Sequence, residues 1–358
     1  MHLAFSSLLA LGLAFTPRVP PVQMQGPPPG VGGPPPGVAG GPPPGVTGGP
    51  PPGTPGGPPG TGGPPPGGGP PPRTAAQQLV DTLFETTFPL LYAFEPEGML
   101  DSEKNLRVLW VRALLSAAGE LDDDVAYELL PSASRWLVSP PLARTLWSPA
   151  LEKLEWIAQR TGFIDSTLDT FLASTPSPCQ VVLIGSGYDT RALRYMDRGA
   201  TFFEVDLPDV ITVKAKLNSK YLETKAGGKE FAAGTSKRSL GCDLNKGMGT
   251  VFERLQSECG LSADIPTLVV IEAVLFYLSP PAKSSLLGEI SGLLAKQPAS
   301  RVVLTDNLAP FVRGPMREAA EGYLTPMGIS LNKHDTLWGG AIQFIEAEAA
   351  AAAAPASE

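Results

Sequence analysis

The sequence predicts an α/β fold on an open, mostly parallel sheet, and three observations predict it. Short apolar, β-branched runs recur at Val181–Ile184, Phe202–Val205, Thr267–Ile271 and Val302–Leu304, as expected of strands buried on both faces. The first run opens into Gly185-Ser186-Gly187, followed by the helix-forming residues Arg191-Ala192-Leu193-Arg194. The chain then finishes, from Ile329 to Ile345, as two strands around Trp338-Gly339-Gly340, which is an antiparallel closure.

Taken in order, strand, glycine turn, helix, strand and acid form the first half of a nucleotide-binding sheet, with Asp206 placed to accept from ribose hydroxyls. Phe231–Gly234 is expected as the third strand, with Gly241-Cys242-Asp243-Leu244 close behind. Asp243 can reach an adenine amino group from that loop, or be an exposed turn acid. The fourth strand ends at Glu272, and Ser279-Pro280-Pro281 opens a helix running to about Lys296, since serine caps and proline suits the first turn. The fifth strand ends at Thr305-Asp306. Asp206, Glu272 and Asp306 thus fall at strand ends, where open sheets bind ligands.

The glycine turn alone also fits a plain connection with no ligand. Its continuation, Asp189-Thr190-Arg191, puts a carboxylate where a pyrophosphate loop would have its third glycine. A diphosphate would be repelled there, whereas a ligand carrying an ammonium and a sulfonium, such as S-adenosylmethionine, would be accommodated.

The chain has 358 residues with a formal net charge of -8 and no basic stripe, which argues against nucleic acid. Cys179, Cys242 and Cys259 show no metal or disulfide spacing, and read as buried thiols. With only His2 and His334, a histidine triad or zinc cluster is nearly excluded. No metal is expected.

Five segments are expected. Residues 1–20 are a leader, apolar from Leu3 to Phe15 but too short to span a bilayer. Its Leu13-Ala14-Phe15-Thr16-Pro17 resembles the junction of bipartite plastid leaders; a cytoplasmic enzyme with a misplaced start is the alternative. Residues 21–73 hold a repeat close to Pro-Pro-Pro-Gly-Val-Gly-Gly, whose paired glycines break the collagen period and which cannot bury a core. It reads as a disordered spacer, open also to a proline-recognition domain. Residues 74–175 are a helical extension, 176–347 the α/β domain and 348–358 an alanine-rich tail.

Within the extension, Leu79, Leu83 and Phe84 share a helical face, as do Leu106, Leu109, Trp110, Ala113 and Leu114 behind a start at Asp101-Ser102-Glu103. Leu151–Arg160 and Ile164–Leu172 are expected as two further helices. Trp110, Trp147 and Trp156 read as core. Arg112 and Arg160 lie on apolar segments and need a route to solvent or a carboxylate partner, either within the protein or on a ligand.

Four motifs, Val182-Leu183-Ile184-Gly185-Ser186-Gly187-Tyr188-Asp189-Thr190-Arg191, Phe203-Glu204-Val205-Asp206-Leu207-Pro208, Gly241-Cys242-Asp243-Leu244 and Ile271-Glu272-Ala273-Val274-Leu275-Phe276-Tyr277-Leu278-Ser279-Pro280, resemble in order and spacing the leucine carboxyl methyltransferase family. The stretch ending at Arg160 is similar too, above all to the plant and bacterial branch. The resemblance implies a Rossmann-like class I methyltransferase sheet of five parallel strands plus an antiparallel pair. It also implies S-adenosyl-L-methionine as methyl donor and O-methylation of a carboxylate or hydroxyl, on a small molecule or a peptide C-terminus. Carried over by position, Gly185, Gly187 and Asp189 form the donor loop and Asp206 holds the ribose, with Glu204 as a spare. Asp243 and Leu244 flank adenine, Glu272 faces the donor's amino group, Arg160 pairs with its carboxylate, and Tyr277 stands near the methyl. The basic residue of the first helix in phosphatase-modifying members has only an approximate counterpart, Arg112.

Methyl transfer from a sulfonium is an in-line displacement that needs alignment and no metal. A carboxylate acceptor is already ionised and needs no base; a phenol would call on Tyr277 or a nearby acid. Arg191 either steers an anionic acceptor or simply pairs with Asp189. A nicotinamide oxidoreductase and a non-catalytic binding protein on the same fold are the competing readings.

Overall fold

The computed structural model describes residues 103–350, apart from 131, 224, 226 and 248. The leader, the proline-glycine spacer, the helix expected around Leu79 and Phe84, the start at Asp101-Ser102 and residues 351–358 of the expected tail lie outside the described residues. Glu348 and Ala349, expected in that tail, belong instead to the last strand.

The first described elements are helical: α1 (Glu103–Ala118), α2 (Asp124–Leu129), α3 (Ser132–Leu137), α4 (Pro140–Thr145) and α5 (Ser148–Ser174). Asp123 caps α2, its Oδ1 accepting the Ala126 N–H at 3.1 Å. Leu109, Ala113, Leu114 and Trp110 bury one face of α1 against Ala126, Ala143 and Trp147, the two indoles meeting edge to face at 5.2 Å. The two helices expected between Leu151 and Leu172 are one. Gly162 sits mid-helix, where it costs about 1 kcal/mol without supplying a stop signal.

The sheet follows: β1 (Cys179–Ile184), α6 (Arg191–Arg194), β2 (Ala200–Asp206), α7 (Pro208–Leu222), α8 (Gly228–Lys237), β3 (Ser239–Gly241), α9 (Val251–Cys259), β4 (Thr267–Glu272), α10 (Pro280–Lys296), β5 (Arg301–Asp306), α11 (Arg317–Leu324), β6 (Ile329–Leu337) and β7 (Ile342–Ala349). Its order is β3-β2-β1-β4-β5-β7-β6. The pairs among β1 to β5 are parallel, and β7 runs antiparallel to both β5 and β6. Phe231–Gly234 is helical rather than the third strand. That strand is only Ser239–Gly241, too short to leave an apolar run.

Alternation within strands sorts the core. Val182, Ile184, Val269 and Ile271 pack with Leu255, Leu286 and Leu287 on the α9–α10 face, whereas Val181, Leu183, Leu268 and Val270 pack with Ile164 and Leu168 of α5 on the other. Crossovers from β1 and β2 go to one face, those from β3, β4 and β5 to the opposite one. The reversal leaves a crevice at the carboxyl ends of β1 and β4, between the glycine turn and Glu272.

Candidate active site

Strand ends and one helix converge on that crevice. Gly185 and Gly187 take left-handed φ of 63° and 42°, which admits glycine at little cost. A Cβ on Gly185 would stand 2.1 Å from Val274 Cγ2, so the turn lies directly under the segment that leaves β4. The Gly187 N–H donates to Asp206 Oδ2 at 2.7 Å, and the Leu207 N–H donates to Asp206 Oδ1 at 2.7 Å. Burial raises the Asp206 carboxyl above its ordinary value, and these two amides limit the rise. Each oxygen keeps a further lone pair able to accept from a hydroxyl. The Cys242 N–H donates to the Asp206 carbonyl at 2.7 Å and brings the next motif alongside.

In that turn the Asp243 carboxylate accepts from Asn245 N at 3.0 Å and meets Lys246 Nζ at 3.0 Å. Both hold it below the usual carboxylate range. Leu244 leans on the core beside it. Asn245 has no counterpart among the expected residues, yet it ties this turn to the rim: Nδ2 donates to the Tyr277 carbonyl at 3.3 Å and Oδ1 accepts the Ser279 N–H at 2.9 Å.

Opposite lies a buried ionic cluster. Arg160 Nε donates to Glu272 Oε1 at 2.8 Å, and Arg191 Nη1 to Glu272 Oε2 at 2.6 Å. Arg191 also binds Asp165 and Asp189, each at 2.5 Å. Arg112 Nε pairs with Asp123 at 2.8 Å, and Arg194 with Asp165 at 2.8 Å. Four guanidiniums thus face four carboxylates, which lets so much charge be buried. Burial would raise the Glu272 carboxyl, but Arg191, Arg160 and Arg112 outweigh it and hold it well below the usual range. For Asp189, Arg191 and Arg112 do the same.

This geometry corrects three expectations. Arg191 is 0% exposed and saturated by carboxylates, so it pairs with Asp189 as the simpler alternative had it and does not reach an acceptor. Asp189 accepts the Arg191 N–H and guanidinium, so its charge is neutralised inside the loop and does not discriminate between ligands. Glu204, the spare ribose contact, is 2% exposed on Lys214 at 2.7 Å. It faces a cavity of about 560 Å³ between α7 and α8 whose lining holds none of the other expected site residues. Arg112 is likewise structural. No sequence signal marked Asp123, Asp165 or Arg194, because their partners lie in other elements.

Arg160 differs. Among the described residues, its terminal nitrogens take no hydrogen-bond acceptor, which leaves a fork for a ligand carboxylate. The guanidinium lies 4.9 Å from the Trp156 ring, and Trp156 packs at 5.3 Å on Trp338, which is 62% exposed. Trp156 is half-buried at the edge of the helical core and so joins that core to Trp338, whereas Trp110 and Trp147 are fully buried core as expected. Phe276 and Tyr277 add exposed rings, 4.0 Å apart. Burial raises the Tyr277 phenol above its ordinary value, with Arg160 opposing. No His, Cys, Asp and Glu grouping suited to a metal occurs among the described residues, and no described helix is long and apolar enough to cross a membrane.

The strand order, the antiparallel closure and a crevice walled by a glycine turn and strand-end acids define the class I methyltransferase fold. The chain belongs to the leucine carboxyl methyltransferase family, whose model matches residues 105–291. A Mycolicibacterium gilvum protein with the provisional name S-adenosyl-L-methionine-dependent methyltransferase is 32% identical over 43% of this chain and 46% of its own length. A second of that name, from Mycolicibacterium vanbaalenii, is 28% identical over 53% and 58%. Leucine carboxyl methyltransferase 1 of Rattus norvegicus is 29% identical over 36% and 42%. The chain spans about half the length of the curated relatives it matches.

Proposed function

We propose that this protein is an S-adenosyl-L-methionine-dependent O-methyltransferase whose acceptor is a carboxylate on a small molecule or peptide. The observation that carries the reading is the Asp206 carboxylate at the end of β2, fixed by the Gly187 and Leu207 amides, together with the Arg160 guanidinium held by Glu272 at the end of β4. Arg160 is 4% exposed, and its terminal nitrogens take no acceptor among the described residues. One acid for the ribose and one fork for an amino-acid carboxylate suit the two ends of that donor. Asp243 and Leu244 flank its base. When bound, the donor supplies an electrophilic methyl on sulfur.

The rest falls to the chain. Gly185 and Gly187 let the backbone approach closely, Glu272 holds Arg160 in place, and the exposed rings of Phe276, Tyr277 and Trp338 would fold over a bound donor to exclude water. The raised Tyr277 phenol is neutral at pH 7 and poorly suited as a base, which favours an acceptor already ionised. Tyr277 then orients rather than deprotonates. A leader directing import into a plastid is part of the proposal, as are a spacer in residues 21–73 and a tail after the last strand.

Mass spectrometry of a metabolite extract incubated with the full chain and isotopically labelled donor tests it. A labelled methyl ester is expected. Label only on nitrogen or carbon, or on no product, would overturn it.

A further inference from the structure

Asp306 closes β5 with its side chain 0% exposed. Its Oδ2 accepts the backbone N–H of Val274 at 2.5 Å and of Leu275 at 2.6 Å, and its Oδ1 accepts those of Phe276 at 3.2 Å and Asn307 at 2.7 Å. Three of the four donors belong to the segment that crosses the crevice, between Glu272 and the rings of Phe276 and Tyr277. The segment is held from both ends. Upstream, Glu272 is pinned by Arg160 and Arg191, and Ala273, a residue with a Cβ, is kept at φ 56° with its N–H on the Thr305 carbonyl. Such a conformation persists only where its surroundings over-determine it, and it clusters at functional sites. Downstream, Asn245 ties Tyr277 and Ser279 to the Asp243 turn. In the middle, Val274 rests on Gly185 with no room for a methyl group between them.

We infer that Asp306 is a positioning residue: without touching a ligand, its carboxylate sets the height of residues 273–278 over the glycine turn, and so governs donor affinity and the placing of Tyr277. This rests on the donor site proposed above. The groups facing Asp306 are the Lys283 ammonium of α10, which donates to the Asn307 and Ala309 carbonyls, and the Tyr277 phenol. Burial pushes the Asp306 carboxyl up to about 6 against its four amide donors. Protonation would turn one oxygen from acceptor to donor and break the clamp.

The test compares full-length wild type, Asp306→Asn and Asp306→Ala by hydrogen exchange and by titration with S-adenosylhomocysteine from pH 5 to 8. Wild type is expected to protect the amides of residues 274–276 and to bind about tenfold more weakly at pH 5 than at pH 7.5. Asp306→Asn, which keeps one acceptor oxygen and the shape, should fold, lose at least tenfold of that protection and bind without the pH step. Asp306→Ala should lose more of both, and if it does not fold the Asn variant decides alone. Unchanged protection, or an unchanged pH step in Asp306→Asn, overturns the inference. Failure of wild type itself to bind the probe at any pH strikes instead at the donor site on which the inference rests.

Discussion

Arg160 and Glu272 are 112 residues apart and meet at 2.8 Å, one from the middle of α5 and the other from the end of β4. The contact fastens the helical extension to the rim of the sheet. Glu272→Gln removes the carboxylate shared by Arg160 and Arg191; Arg191 keeps Asp165 and Asp189, but the buried Arg160 guanidinium loses its carboxylate. A loss of roughly 3–5 kcal/mol is expected, read from denaturant unfolding. Arg160→Met should cost less stability and weaken S-adenosylhomocysteine binding about tenfold or more, the worth of a charge-assisted hydrogen bond.

Gly185→Ala is predicted to be worse than its size suggests. The new methyl group would take a left-handed φ and collide with Val274, whose branched side chain cannot swing aside. The expected cost is about 2–4 kcal/mol, with weaker binding of the demethylated donor. Thermal melts with and without S-adenosylhomocysteine separate the two effects.

Asp206→Ala should weaken donor binding by about 2–3 kcal/mol, from a lost charge-assisted pair to the ribose. Asp206→Asn keeps an acceptor for one of the two amides and should lose less. Calorimetric titration of both variants checks the order.

Acid should unfold the protein through the ionic cluster. Glu272 and Asp189 have carboxyls lowered in the fold, so their stabilisation is present above the ordinary carboxylate range and is lost as pH falls through it. Asp306 runs the other way. Its raised carboxyl favours the fold below about pH 4, and that contribution is lost as pH rises towards 6. Measured stability should fall below pH 4 in wild type, and Asp306→Asn should differ from wild type more at pH 7 than at pH 4.5.

A chain lacking residues 1–72 should bind S-adenosylhomocysteine as the full chain does. A folded truncation that no longer binds would give the proline-glycine arm a role in the site.

Much of this was legible in the sequence because buried parallel strands and glycine turns leave local marks. Val181–Ile184, Thr267–Ile271 and the Ser279-Pro280-Pro281 helix start fall where the pattern puts them. The misses share one cause, that local pattern says nothing about distant partners. The strand β3 is three residues long and takes its place from β2, so Phe231–Gly234, an apolar patch on α8, mimics it. Arg191 and Asp189 look like ligand groups until α5 supplies Asp165 and β4 supplies Glu272. Asp306 was visible as a strand-end acid, but its task depends on three amides 30 to 32 residues upstream.

Calorimetric titration of the full chain with S-adenosylhomocysteine, and with NAD for comparison, tests the central claim most directly. The account predicts saturable one-site binding of the first and no heat from the second. A folded protein that ignores S-adenosylhomocysteine, or binds NAD equally well, would contradict it.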